Sequence, residues 1–242
     1  MSLLHPLFLL LFILPLLIIA YFGCKDKNLK YVFIFVFVFL TDLYLQLIGQ
    51  TFLDVTFIQW NWMGKILTIL FAITFVLFQP KEHREEMGFT VKFDNKTLRT
   101  GVIAFIIFLL IDATLKWNIF PEGAEFELEA FMFQMIMPGL SEEIFYRGIY
   151  LWLLEKAFVS KKEIKGVKFG WGFILVTVIF GLAHGVILTE SFEVRFDIAT
   201  IIYLTLIPSL ALGLLRKFSG NLLAPIVGHN LINVMNIFIR MR

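Results

Sequence analysis

Stretches of about twenty mostly apolar residues recur along this chain, and each has the length that an α-helix needs to cross the hydrocarbon layer of a bilayer. That density leaves the backbone few options. In lipid every N–H and C=O must be satisfied within the protein, which a helix does alone and an open strand cannot. Of the 242 residues, 59% are hydrophobic and 29 are Phe, more apolar surface than a soluble core of this size hides. The predicted fold is all-α, a polytopic transmembrane helical bundle of about eight spans, forming a single membrane domain over residues 1–242.

The spans are placed at about 2–22, 31–53, 57–78, 101–117, 128–155, 170–187, 197–215 and 220–240. Residues 2–22 are read as a retained first span, because no Lys or Arg precedes the apolar run. One set of connections holds Lys25, Lys27, Lys30, Lys81, Arg84, Lys92, Lys96, Arg99, Lys156, Lys161, Lys162, Lys165, Lys168, Arg216 and Lys217. The opposite set holds Arg195, Arg240 and Arg242, so the bias is fifteen cations to three. The positive-inside rule then puts the basic connections in the cytoplasm and both termini outside. Asp54, Glu122, Glu125, Glu127, Glu129, Glu190, Glu193 and Asp197 fall on the outer side. The hydrophilic segment 79–100 is expected to be a cytoplasmic connector with a surface helix. Cys24 is the single cysteine, which excludes an intrachain disulfide. No basic cluster has the aromatic interleaving of a nucleic-acid surface. The expected setting is a prokaryotic plasma membrane, with lipid as an obligate partner.

Against that background Ser141-Glu142-Glu143-Ile144-Phe145-Tyr146-Arg147-Gly148 is anomalous, because it sets three formal charges near the middle of the fifth span. Each costs about 2.5–3.5 kcal/mol on insertion scales, and such residues mark function by default. Residues four apart share a helix face, so Glu143 and Arg147 are expected to pair. Glu142 points about 100° away and is left over as a candidate general base or acid. A purely structural charge cluster is the competing reading. Asp42 and Lys65, on neighbouring spans, are expected to pair with each other, and Asp112 with Lys116 on one helix.

Two further polar islands follow. Phe180-Gly181-Leu182-Ala183-His184-Gly185 puts a ring against the imidazole of His184, and its Gly-x-x-x-Gly spacing admits a close neighbouring helix. Gly228-His229-Asn230-Leu231-Ile232-Asn233 aims His229 and Asn233 one way, a pair of donors suited to a developing oxyanion or to gluing helices together. Helical rise sets Glu142 about 20 Å from Glu155, His184 about 21 Å from Gly170 and Asn233 about 20 Å from Gly220. Three islands at equal depth point to one site.

These islands, Glu-Glu-x-x-x-Arg, Phe-x-x-x-His and His-x-x-x-Asn in that order, resemble the CPBP family, the type II CAAX-prenyl endopeptidases and Abi-type membrane proteases. Tyr146 stands where Phe is usual. The resemblance covers residues 125–240. It implies an intramembrane endopeptidase in which Glu142 and His184 activate water and His229 and Asn233 stabilise the oxyanion. Glu143, Arg147 and Phe180 support them. The implied partner is a peptide or protein substrate, prenylated or not. No cofactor is favoured. If zinc were used, Glu142, His184 and His229 would be its ligands, but no His-Glu-x-x-His helix occurs and Asn233 is a poor zinc ligand. A small transporter and a non-catalytic bacteriocin-immunity protein are the competing functions.

Overall fold

The computed structural model describes residues 2–53, 58–160 and 162–242. Asp54 and Phe57, expected in an outer connection and at the start of the third span, and Lys161, expected in a basic connection, lie outside the described residues. The eight expected spans correspond to helical rods in the expected order. They are α1 (His5–Gly23), α2 (Leu29–Phe52), α3 (Trp62–Leu77), α5 (Leu98–Ile119), a long rod of α6 (Leu128–Glu143), a π-helical segment (Ile144–Tyr150) and α7 (Leu151–Ala157), then α8 (Trp171–Gly185), a second broken rod of α9 (Ile198–Leu204), a π segment (Thr205–Ser209) and α10 (Leu210–Ser219), and α11 (Leu223–Met241). The expected surface helix is α4 (Lys81–Glu86). Four rods, His5–Gly23, Leu29–Phe52, Leu98–Ile119 and Ile198–Ser219, are long and apolar enough to cross a membrane, and α3 and α8 are shorter apolar helices.

Local sequence explains where these helices start and stop. Asn28 and Asn61 cap α2 and α3 with their side-chain oxygens, and Asp197 caps α9. Gly220, in the left-handed region, ends α10. Pro208 has no N–H to continue the ladder, and it lies in the second π segment.

The α6–α7 rod is the axis of the bundle. Every residue from Glu143 to Leu154 is buried, with Phe35 and Phe39 of α2 and Leu175 and Ile179 of α8 in the same core. The outward faces carry Ile18, Phe37, Leu70, Leu110 and Leu206 in the open. Apolar exposure on that scale marks a surface covered by lipid.

The basic connections gather at one end. Lys156 pairs with Glu86 at 2.9 Å, Lys217 pairs with Glu155 at 2.6 Å, and Arg216 donates to the carbonyl oxygen of Glu86 at 2.8 Å. The other end is acidic: Arg242 pairs with Glu122 at 3.1 Å, and Glu129 accepts from the amides of Gln59 and Trp60.

Gly181 and Gly185 do bring a helix close. A Cβ on Gly181 would lie 2.1 Å from the Thr205 hydroxyl and 2.6 Å from the Ile201 carbonyl, and one on Gly185 would lie 2.4 Å from the Ile201 side chain. Gly181→Val is therefore expected to destabilise the bundle by about 1–3 kcal/mol, the range for overpacking. Thermal unfolding of detergent-purified protein measures this, and an unchanged midpoint would contradict the packing.

Candidate active site

Glu142 and Glu143 leave the end of α6 on adjacent faces, and the structure gives them separate partners. Glu143 turns inward. Its Oε1 accepts from Arg147 at 3.1 Å and from His229 Nδ1 at 2.7 Å, and both Glu143 and Arg147 are sealed from solvent. Arg147 also donates at 3.1 Å to the carbonyl and hydroxyl of Ser209, so the two π segments are tied together. The expected pair is present.

Glu142 turns toward a cavity of about 380 Å³. Its Oε2 lies 3.7 Å from His184 Nε2 and 4.0 Å from His229 Nε2. Asn233 shares the cavity wall with all three. Four residues from three rods, predicted from separate islands, thus meet around one space.

The ring nitrogens facing away from the cavity are also engaged. His184 Nδ1 is 2.7 Å from the Phe180 carbonyl, which only accepts, so that nitrogen carries the hydrogen. His229 Nδ1 meets the carboxylate of Glu143 and donates for the same reason. In neutral rings both Nε2 atoms then present lone pairs to the cavity. The Phe180 ring lies tilted at 4.5 Å from that of His184, stands 6.2 Å from His229 and lies 4.6 Å beneath the Arg147 guanidinium, so one ring walls both imidazoles.

Two expectations need correction. Glu142 is not left without a cation: Lys65 Nζ of α3 holds its Oε1 at 2.7 Å. Lys65 is therefore not the partner of Asp42, which instead accepts from Tyr150 Oη at 2.8 Å and Gln46 Nε2 at 3.0 Å. A phenol and an amide satisfy that carboxyl on its own side of α2, and the ammonium reaches the central rod. Asp112 and Lys116 do pair, at 2.6 Å, and Tyr203 adds its hydroxyl to Asp112.

Other site residues went unnoticed in the sequence. Gln134, Asn236 and Trp60 line the cavity, and Asn230 Oδ1 accepts the Gly139 amide at 2.9 Å, locking α11 to α6. The signal for two of them was a stripe. Gln134, Pro138 and Glu142 recur every four residues, and His229, Asn233 and Asn236 follow at four and three, each series along one helix face.

The cavity continues outward. Trp60, Gln134, Asn233 and Asn236 also line a second space of about 590 Å³, whose other walls include Ala124, Glu125, Glu127 and Arg240. Those residues sit at the acidic end of the bundle. On the opposite side Glu143, Arg147, Ile149 and Tyr150 are packed without solvent access.

Among the described residues no group of three His, Cys, Asp or Glu side chains is arranged to hold a metal ion. Zinc ligation would need donors about 2.0–2.2 Å from one point. An ammonium already in contact with the only carboxylate of the set opposes a dication there.

A family model described as Rce1-like, type II CAAX prenyl endopeptidase, matches residues 124–235. Neither a curated protein nor a solved structure matches the chain. The matched segment starts just before α6 and ends within α11, so it contains Glu142, Glu143, Arg147, Phe180, His184, His229 and Asn233 and leaves out α1 to α5. With the polar layer inside the match and the apolar rods around it, residues 124–235 of this membrane chain are similar to the Rce1-like type II CAAX prenyl endopeptidases, a family of proteases.

Proposed function

We propose that this protein is an intramembrane endopeptidase that hydrolyses a peptide bond with a water activated by Glu142 and His184. The observation that carries the reading is the convergence of Glu142 Oε2 with His184 Nε2 at 3.7 Å and His229 Nε2 at 4.0 Å on one cavity wall. A water between them donates one hydrogen to Glu142 and the other to an imidazole. Its O–H bond breaks as the proton passes to Oε2, and the hydroxide adds to the substrate carbonyl carbon. The oxyanion that forms is held by the Asn233 amide and by His229. That contact requires a hydrogen on His229 Nε2 as well as on Nδ1, and Glu143 at 2.7 Å is the counter-charge for such a ring. Collapse breaks the C–N bond while Glu142 returns its proton to the departing nitrogen.

The cavity walls suit an extended peptide. Trp60, Phe120 and Phe133 offer apolar surface, and Gln134, Asn233 and Asn236 offer amides to a peptide backbone. Water and substrate arrive from the acidic end, which the positive-inside rule puts outside the cytoplasm. The packed residues on the other side favour a one-sided reaction chamber over a transport path. Lys65 on Glu142 favours a metal-free mechanism.

Glu142→Gln is expected to lose about 10²–10⁴-fold in cleavage of a peptide library, prenylated and unprenylated members together, with sites read by mass spectrometry. Undiminished cleavage would remove Glu142 from the mechanism. Protection against a toxic peptide that persists in this variant, without proteolysis, would favour an immunity protein. The purified enzyme is expected to keep its rate after exhaustive chelation; stoichiometric zinc lost together with activity would reverse the metal-free assignment. For the opening, single cysteines replacing Glu125 and Lys168 in a Cys24→Ser background are probed with an impermeant maleimide. Labelling of Glu125→Cys in intact cells, and of Lys168→Cys only after permeabilisation, is the expected pattern, and the reverse pattern would invert the orientation.

A further inference from the structure

Lys65 lies outside the family-matched segment, breaks two local rules and touches the centre of the site. It is a cation in the first turn of α3, where the helix dipole disfavours positive charge, and it is buried in a span. A residue that violates local preference needs compensation, and among the described residues its ammonium is bonded to the carboxylate of Glu142.

The backbone that carries it is fixed on both sides. Asn61 caps α3 through the Gly64 amide at 2.9 Å and donates to the Gln46 carbonyl of α2 at 3.0 Å. Gly49 of α2 meets Gly64 so closely that a Cβ on Gly49 would lie 2.2 Å from the Gly64 nitrogen. The alternative partner, Asp42, is already occupied by Tyr150 and Gln46. The ammonium is thus delivered to one oxygen of one carboxylate.

We infer that Lys65 is a positioning residue for hydrolysis: by holding Glu142 Oε1 it fixes the carboxylate as a charged base and leaves Oε2 as the oxygen that faces His184, His229 and the attacking water. This rests on the endopeptidase reading. Lys65 does not line the cavity, so it acts through Glu142 and not on bound substrate. Loss of the tether frees the carboxyl to rotate away from the water, and a displacement of about 1 Å at such a group costs on the order of 10²-fold.

The experiment measures kcat and KM per folded enzyme for Lys65→Met, Lys65→Gln and Lys65→Arg, with Glu142→Gln alongside. Lys65→Met is expected to lower kcat about 10- to 100-fold with KM changed less than about threefold. Lys65→Arg, which restores a cationic donor, is expected to recover at least about tenfold of that loss. If Lys65→Met fails to fold, Lys65→Gln replaces it, and its kcat is expected below that of Lys65→Arg. A parental kcat in Lys65→Met or Lys65→Gln, or a loss confined to KM, would overturn the inference. In that event an inactive Glu142→Gln leaves the endopeptidase reading standing. An active Glu142→Gln would sink both.

Discussion

A fully buried arginine is tolerable in a hydrocarbon interior only with its counter-charge beside it, and the pair of Arg147 with Glu143 is the contact on which the rest of this molecule depends. Both side chains are sealed from solvent. Removing one partner of such a pair typically costs about 3–5 kcal/mol, because the other charge is left unmatched. The pair also reaches beyond its own helix. Arg147 binds Ser209 in the second broken rod, and Glu143 binds His229 in α11. One ion pair therefore gathers three rods and orients one imidazole.

The π segments belong to the same arrangement. A π-helical turn rotates the residues that follow it relative to an α-helix, and such turns recur at functional sites. Here one carries Arg147 and the other Ser209, so the two irregular turns are bonded to each other. Pro138 adds a third irregularity in α6. It leaves the Gln134 carbonyl without its usual amide donor, and both residues line the cavity. Unsatisfied backbone at membrane depth is tolerated where it borders a polar space.

Patterns written along a single helix are legible in the sequence. The eight rods, the pairs Glu143 with Arg147 and Asp112 with Lys116, the ring of Phe180 on His184 and the close approach at Gly181 all follow from helical spacing. Equal depth joined three islands into one layer. What stayed hidden depends on which helices touch. Placement on sequential antiparallel spans suggests Asp42 as the partner of Lys65. Sequential order says nothing of the rotation of α3, which turns Lys65 toward the central rod. Tyr150 Oη, a neutral donor among apolar neighbours, gave no sign of being the group that satisfies Asp42. Gln134 and Asn236 were visible as a stripe, yet amides in a membrane helix read equally well as interhelical glue.

The two consecutive glutamates divide between core and cavity for a geometric reason. Residues one apart on a helix point about 100° from each other, so at a wall between core and cavity one faces each. Glu143 is given to the core, where a guanidinium and an imidazole hold it. Glu142 is given to the cavity, where one of its oxygens is held by a cation and the other faces the two imidazoles. Its own helix cannot supply a second cation for that purpose, since Arg147 is already committed to Glu143. The ammonium of Lys65 comes instead from α3, outside the segment that carries the motifs. The amino-terminal helices are thereby more than a membrane anchor, because the carboxylate that faces the cavity is held by a residue they contribute.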